Sequence, residues 1–340
     1  MDLKENYSGA ATIHTGYECC SGKVPSPMSF HYHTYGLRLS SQVEFPELTE
    51  MSHYSISDVQ ILIHPLPKGL DKSAAYGKWL QYTEDCCQIL IKGVASFRIG
   101  QGRYIQIDRQ TSMEPHECVA ESDVRPYLLG TAFGALLHQR HWLPLHVSAL
   151  STPSGVWAFT GASGAGKSTL AAWLHYHYRW PLISDDVAVI KPKDTRPYLY
   201  PGPPRLKLWK DALSALEIDY HGLARDLTRA EKYHLVQYRG FMEKPKSLQA
   251  LVVLERTEEG EKASVTQITG VEAFRAIMGT IYRPELGNIF NGPQRLLIQC
   301  ADLAKQIRVY RFRRPWSLRD MEASIKPLLN WINSDVSGKL

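Results

Sequence analysis

The chain has 340 residues, a formal net charge of +5, 44% hydrophobic residues and 21% charged residues. This length accommodates two domains with separate apolar cores, and this composition excludes disorder on a large scale. The basic residues are scattered apart from an arginine cluster near the C-terminus, so nucleic-acid binding is not predicted. There is no apolar run of membrane-spanning length and no signal-peptide pattern at the start, which predicts a soluble cytoplasmic protein without a membrane partner.

The six cysteines do not form a recognisable framework. None has the C-x-x-C spacing of a zinc or redox site, and two pairs are adjacent in sequence. We therefore expect reduced thiols that act as small apolar residues. They are Cys19, Cys20, Cys86, Cys87, Cys118 and Cys300.

The first part of the chain divides into a tail and a β-rich region. Residues 1–28 carry little apolar periodicity and are predicted to be a poorly ordered tail. From Phe30 onward, short runs rich in β-branched and aromatic residues are bounded by Gly and Pro, which is typical of strands. In SFRIGQGRYIQIDR, Gly100-Gln101-Gly102 separates two alternating arms and predicts a hairpin. Residues 29–123 are therefore predicted to form a small β-rich N-terminal domain.

The second part, residues 124–340, has the pattern of an α/β domain. Helical spacing predicts a helix over Arg125–Trp142, and the apolar runs LPLHVSAL and GVWAFT predict two strands joined by a turn. A glycine-rich loop, a helix over Ser168–Tyr178 and the apolar run PLISDDVAVIKP follow in a βαβ-like order. LQALVVLE predicts a further buried strand, so we expect a central sheet flanked by helices.

Two C-terminal segments complete the prediction. SLRDMEASIKPLLNWI has the pattern of an amphipathic helix with Ser317 as its cap. RVYRFRRPW alternates arginine with apolar residues, which predicts an edge strand with a solvated basic face. Binding of nucleic acid or of an acidic peptide is the alternative interpretation of this cluster, and we leave it outside the predicted site.

The glycine-rich loop matches the phosphate-binding motif G-x-x-x-x-G-K-[ST] at every fixed position. Its residues are Gly161, Ala162, Ser163, Gly164, Ala165, Gly166, Lys167 and Ser168. Glycines let the backbone point several N–H groups at phosphate oxygens, and the following helix adds its positive end. Lys167 is expected to contact the β- and γ-phosphates of ATP, and Ser168 to bind Mg²⁺. Thr169 completes the predicted nucleotide-binding residues.

Two acidic residues and one histidine accompany the loop. Asp185-Asp186 follow Lys167 by 18 positions, directly after an apolar run. Carboxylates at the end of such a strand are suited to hold Mg²⁺ and to accept a proton from an attacking hydroxyl. Without the loop, capping or surface pairing would be the better interpretation of this pair. His146 lies 15 positions before Gly161, in an apolar run that also suits a buried structural histidine.

At these residues the sequence resembles the HPr kinase/phosphorylase family, and more closely its HPr-kinase-like relatives in the biosynthesis of lasso and related peptides. His146, the loop 161–168 and Asp185-Asp186 match the family's histidine, P-loop and aspartate pair one for one. The resemblance covers roughly residues 129–316. It implies an HPr-kinase-like P-loop domain in which Asp185 is the base towards a serine, Asp186 holds metal and His146 lines the pocket.

The resemblance further implies an ATP- and Mg²⁺-dependent serine kinase that phosphorylates a precursor peptide. YPGPPRLKLW also resembles a segment of these relatives, with Arg205 facing phosphate; a solvated surface connector is the alternative. Arg239 and Arg283 are further candidates for a phosphate clamp. The glycine-rich signature of the bifunctional members is absent, which argues against dephosphorylation and against HPr as substrate. Relatives of this type often form rings, so a homo-oligomer is an expectation of the resemblance.

Two other functions fit the same residues. One is a kinase of a free small molecule, such as serine or a sugar, which needs a closed acceptor pocket rather than a groove for a peptide. The other is a regulatory nucleotide-binding protein that transfers no phosphate. The aspartate pair favours an enzyme, because a pure sensor has no need of a base beside the phosphates.

Overall fold

The structure is a computed structural model that describes residues 30–52, 56–109, 119–192, 196–226, 229–258 and 260–337. The predicted tail over residues 1–28 lies outside the described residues. Three β-sheets and several helices give a mixed α/β fold, in agreement with the predicted class. None of the helices in the described ranges combines the length and apolar character that a membrane span requires.

An eight-stranded sheet occupies the N-terminal part. Its strands are β1 (Phe30–Thr34), β2 (Leu37–Ser41), β3 (Val59–Ile63), β4 (Ala74–Tyr76), β5 (Leu80–Tyr82), β6 (Cys86–Ile91), β7 (Ala95–Gly100) and β8 (Tyr104–Asp108). They lie in the order β1-β2-β3-β8-β7-β6-β5-β4. The predicted hairpin is confirmed: β7 and β8 pair antiparallel, and Gln101 and Gly102 take the positive φ values of 54° and 62° that the tight turn needs.

A helical segment connects this sheet to the rest of the chain. It comprises α1 (Glu121–Tyr127), a π-helical turn (Leu128–Ala132) and α2 (Phe133–Gln139). The helix therefore begins four residues before the predicted start and ends three before the predicted end. Phe133 and Leu136 share one hydrophobic core with Ile99 of the N-terminal sheet. This core extends across the predicted domain boundary at 123/124, which itself falls within α1 and stays a prediction.

A nine-stranded sheet and a three-stranded sheet form the remainder. The nine strands are β9 (Leu143–Leu145), β10 (Ser148–Thr152), β11 (Gly155–Thr160), β12 (Leu182–Ser184), β13 (Ala188–Ile190), β14 (Tyr198–Tyr200), β18 (Lys246–Arg256), β19 (Ser264–Ile268) and β20 (Arg308–Arg314). The smaller sheet contains β15 (Arg205–Trp209), β16 (Ala224–Asp226) and β17 (Arg229–Val236). As predicted from LQALVVLE, β18 is a buried strand, and it lies centrally between β11 and β20, parallel to both.

The predicted strand–loop–helix–strand unit is also confirmed. α3 (Lys167–Tyr178) connects β11 to β12, and β10 lies between these strands, antiparallel to each. Two strands that are both antiparallel to a third run in the same direction. The crossover is therefore parallel, with one strand inserted in the middle.

Helices cover both faces of the nine-stranded sheet. They are α5 (Gly270–Met278) and α7 (Pro293–Gln306) on one face, and α3 and α8 (Met321–Ser337) on the other. α4 (Lys210–Ala215) contributes to the same core as α3 and α8, whereas α6 (Pro284–Phe290) contributes to the core of the N-terminal sheet. Side chains of β11 alternate between the two cores: Trp157 packs with α3 and α8, whereas Ala158 packs with α5 and α7. Two buried faces explain why this strand is apolar throughout rather than at every second position.

Three details differ from the sequence predictions. LPLHVSAL is not one strand but β9 and β10, because the chain turns at His146, whose N–H bonds to the carbonyl of Thr280 at 2.6 Å. The edge-strand prediction for RVYRFRRPW is wrong, because β20 lies between β18 and β19. Ser317 does accept the N–H of Asp320 at 3.3 Å, but the helix itself begins at Met321.

Candidate active site

Strand direction brings the predicted residues to one edge of the nine-stranded sheet. The P-loop follows the carboxyl end of β11, and the register pairs Phe159 of β11 with Ser148, the first residue of β10. Ala149 of β10 in turn pairs with Ser184, the last residue of β12. The chain before β10, the P-loop and the residues after β12 therefore meet at one place. Ligands of α/β proteins bind at this kind of edge, outside the carboxyl ends of the strands.

The P-loop has the backbone that its glycines permit. Gly161, Gly164 and Gly166 have φ values of 142°, 84° and 80°, which side chains other than glycine rarely adopt. At Gly161 a Cβ would also lie 2.7 Å from the carbonyl oxygen of Leu254. The Lys167 ammonium bonds to the carbonyls of Gly161 and Ala162 at 2.9 and 3.2 Å. Burial lowers the pKa of Lys167 because it disfavours the charged ammonium. An anion beside Lys167 would stabilise that charge.

Asp185 is held by three hydrogen bonds. Its Oδ1 accepts the hydroxyls of Ser148 at 2.5 Å and Ser168 at 2.8 Å, and its Oδ2 accepts the backbone N–H of Lys207 at 2.7 Å. The side chain is almost fully buried. The first aspartate of the pair therefore contacts the P-loop serine directly.

Asp186 has different partners. Its Oδ2 lies 2.5 Å from the Lys207 ammonium, and its Oδ1 lies 3.4 Å from Nδ1 of His146. Burial alone would raise the pKa of Asp186, but the charge of Lys207, with a smaller effect from His146, holds it below its usual range. The residue has a φ of 87°, an uncommon backbone conformation for a non-glycine residue and one that is frequent at functional sites.

His146 is oriented by Asp186. Its Nδ1 lies 3.0 Å from the carbonyl oxygen of Asp186, so the neutral ring donates Nδ1–H and keeps Nε2 as an acceptor. Burial lowers the pKa of His146 despite the nearby carboxylates, which favours the neutral ring. The ring stacks on Tyr282 at 5.9 Å between centroids.

A cavity of about 480 Å³ lies over these residues. Its described lining includes six lysines and arginines, namely Lys167, Lys207, Arg229, Lys232, Arg283 and Arg314, and four aspartates, namely Asp185, Asp186, Asp211 and Asp226. An excess of cations suits a polyanionic ligand. The hydroxyl of Ser168 and the carboxylate of Asp185 are oxygen donors of the type that Mg²⁺ takes alongside nucleotide phosphates. These residues therefore fit the metal that the motif implies.

Most predicted site residues line this cavity. They are His146, Ser163, Gly164, Gly166, Lys167, Ser168, Thr169, Asp185 and Asp186. Gly161, Ala162 and Ala165 belong to the loop but are not part of the lining. Of the two clamp candidates, Arg283 lines the cavity and Arg239 does not.

Arg205 is buried and is not part of the cavity lining. Only 2% of the residue is exposed, and its Nε and Nη1 have no hydrogen-bond partner among the described residues. Its position on β15, two residues before Lys207, places both side chains on the same face of the strand. Its charge helps to lower the pKa of Asp186. A direct phosphate contact by Arg205 stays a prediction.

The lining residues that the sequence analysis missed include Ser148, Lys207 and Arg314. The only signal for Ser148 was its position two residues after His146 in the same apolar run. Lys207 also carried a signal, because it stands two residues after the predicted site residue Arg205 and so lies on the same face of a strand. Arg314 had none, because only the pairing of β20 with β18 brings it to the site.

The fold and this edge define a mixed α/β protein with a P-loop between a strand and a helix, faced by an aspartate pair. No family model matches the chain, and no curated protein matches its sequence. Among solved structures, the chain is remotely similar to the Hpr(Ser) kinase/phosphatase from Coxiella burnetii. The similarity has a TM-score of 0.28 and 10% sequence identity, and covers 57% of this chain and 95% of that one. The function is therefore inferred from the geometry of the site.

Proposed function

We propose that the protein is an ATP-dependent phosphotransferase of the P-loop kinase type. The observation that carries this proposal is the hydrogen bond of 2.8 Å between Ser168 and Asp185, which joins the phosphate-binding loop to the acidic pair. The loop would bind phosphates, and the carboxylates would bind metal or accept a proton. On this proposal both belong to one site. Phosphoryl transfer needs this combination, because its catalysis is mostly positioning and neutralisation of charge.

On this proposal, the loop amides and Lys167 bind the phosphates, and Ser168 and Asp185 hold Mg²⁺, which would neutralise phosphate charge. The sequence-based expectation made Asp185 the base and Asp186 the metal ligand. The contact between Ser168 and Asp185 instead favours Asp185 as the metal ligand. Asp186, fixed by Lys207, then orients His146 through its carbonyl and carboxylate oxygens.

The proton of the acceptor goes to Nε2 of neutral His146. The acceptor oxygen forms a bond to the γ-phosphorus while the bond from that phosphorus to the β–γ bridging oxygen breaks, and ADP leaves. Lys167 stabilises the charge that develops on the transferred group. A histidine with a lowered pKa is unprotonated near neutral pH and is available for this role.

We propose a serine hydroxyl of a precursor peptide as the acceptor, on the resemblance of the His146, P-loop and aspartate-pair pattern to the peptide-modifying HPr-kinase-like proteins. A small hydroxyl compound is the second candidate. It is favoured by the cavity volume of about 480 Å³, which falls in the usual range of small-molecule sites.

The test uses γ-labelled ATP with a library of serine peptides and, in parallel, a pool of hydroxyl metabolites. We expect the labelled phosphate to be transferred to a member of one pool. Lys167→Ala should abolish this transfer, whereas His146→Gln should retain ATP binding and transfer phosphate slowly. Asp185→Asn should raise the Mg²⁺ concentration needed for half-maximal rate, whereas His146→Gln should not. ATP binding without transfer to either pool would instead support the regulatory alternative. Transfer at the wild-type rate in Lys167→Ala would refute the proposed site.

A further inference from the structure

Arg314 is a buried cation that the site described so far does not use. It is the last residue of β20, and only 3% of it is exposed. Its one described hydrogen bond runs from Nη1 to the carbonyl of the next residue, Pro315, at 3.2 Å. Its Nε is buried and has no partner among the described residues.

The neighbouring arginines of the same strand are neutralised. Arg311 forms ion pairs with Glu255 and Glu272, and Arg313 forms one with Glu261 at 2.9 Å. Within the described part of the chain, Arg314 has no ion pair, and burial lowers its pKa to about 10. A buried charge without a counterion is costly, so such a residue is expected to have an anionic partner when the protein works.

The place of Arg314 identifies the kind of anion. A Cβ on Gly166 would lie 3.1 Å from Nη2 of Arg314, so the guanidinium lies against the last glycine of the P-loop. The side chain lines the same cavity as Lys167 and Thr169. Because β20 is parallel to β18, and β18 to β11, the ends of β20 and β11 lie at the same edge of the sheet. The guanidinium therefore lies beside the loop whose amides are expected to bind phosphate oxygens.

We propose that Arg314 is a phosphate-binding residue whose guanidinium binds the polyphosphate chain of the nucleotide beside Gly166. The inference rests on the proposed function in that it takes the P-loop ligand to be a nucleoside polyphosphate. The planar fork of arginine can bind two phosphate oxygens at once, and its five donors include the Nε that has no described partner. Arg314 would thus supply, from a second strand, a cation that the P-loop motif itself does not contain.

The experiment compares Arg314→Met with Arg313→Met, a neighbouring arginine whose ion pair lies at the surface. Binding of ATP and of inorganic tripolyphosphate is measured by calorimetry, and the thermal midpoint is measured without ligand. We expect R314M to weaken both ligands at least tenfold and R313M to change them less than twofold. Arg314→Lys should recover part of the loss, because it restores the charge but not the fork.

The ligand-free midpoint separates binding from a structural role. Methionine removes an uncompensated buried charge, so R314M should unfold at the same temperature as the wild type or higher. A clearly lower midpoint, or unchanged tripolyphosphate affinity, would overturn the inference. If the wild type binds tripolyphosphate through Arg314 but transfers no phosphate, the kinase proposal fails and this inference stands.

Discussion

Lys207 pairs with Asp186 at 2.5 Å and, through its backbone N–H, also donates to Asp185 at 2.7 Å. One residue of β15 thus positions both members of the aspartate pair. The ion pair is mostly buried, with 12% and 18% of the two side chains exposed. The three-stranded sheet is therefore part of the site and not only a flank.

The first prediction concerns this ion pair. Lys207→Met should destabilise the protein by about 3 kcal/mol, because it leaves a buried carboxylate without its counterion. The double variant Lys207→Met/Asp186→Asn should recover much of that loss. Urea unfolding of the wild type, both single variants and the double variant gives the coupling free energy. Additive losses would contradict the pairing.

The second prediction concerns Ser148, which donates to Asp185 at 2.5 Å. Ser148→Ala should lower kcat roughly 10- to 100-fold and leave KM for ATP near its wild-type value, since residues that orient a metal-side carboxylate have effects of this size. Ser151→Ala on the same strand is the matched control, because Ser151 bonds to Lys246 instead. Equal effects of the two substitutions would show that Ser148 acts only through the strand.

The third prediction concerns the metal. Activity should disappear on chelation and return with Mg²⁺, and Ser168→Ala should raise the Mg²⁺ concentration for half-maximal rate by about tenfold or more, because it removes one of two oxygen donors. Ser264→Ala, at an exposed position of β19, serves as the control. Full activity in the presence of chelator would exclude the assigned role of Ser168 and Asp185.

The fourth prediction concerns pH and His138, a fully buried residue of α2 whose Nε2 lies 2.8 Å from the carbonyl oxygen of Tyr282. Burial lowers the pKa of His138 to about 4. The unfolded chain then binds more protons than the folded one between pH 6.5 and 4, so the free energy of unfolding falls as pH falls through this window. The full contribution is about 3 kcal/mol.

Urea unfolding across this range should show a smaller pH dependence in His138→Gln than in the wild type. His177→Gln, at an exposed position of α3, provides the control. In the folded wild type, the imidazole NMR signal of His138 should not titrate above pH 5. A midpoint near 6.5 would contradict the burial of this ring in its neutral form.

Local patterns predicted the parts of the fold that depend on nearby residues. The P-loop, the β7–β8 hairpin and the buried strand β18 each follow from glycine placement or apolar runs within a short window. The break at His146 could not be foreseen in this way, because its cause is a hydrogen bond to Thr280, far along the chain. Apolar character continues through the break and does not mark it.

The same reason limits prediction of the site. Sequence spacing brought together His146, the P-loop and the aspartate pair, but it placed Arg314 on a solvated edge. The arginines of β20 were expected to face solvent. Two of them instead form ion pairs, with Glu255, Glu261 and Glu272. Long-range pairing decides which strands are neighbours in a sheet. The sequence of a single strand does not reveal these neighbours.

The continuous core between the N-terminal sheet and α2 has a practical consequence for dissecting the molecule. A truncated protein that starts at residue 124 would lose Ile99 and its neighbours, and would present Phe133 and Leu136 to water. An uncovered apolar surface of this kind promotes self-association. Anyone who wishes to isolate the portion that contains the P-loop must therefore retain the amino-terminal sheet or redesign the helix face that it shields.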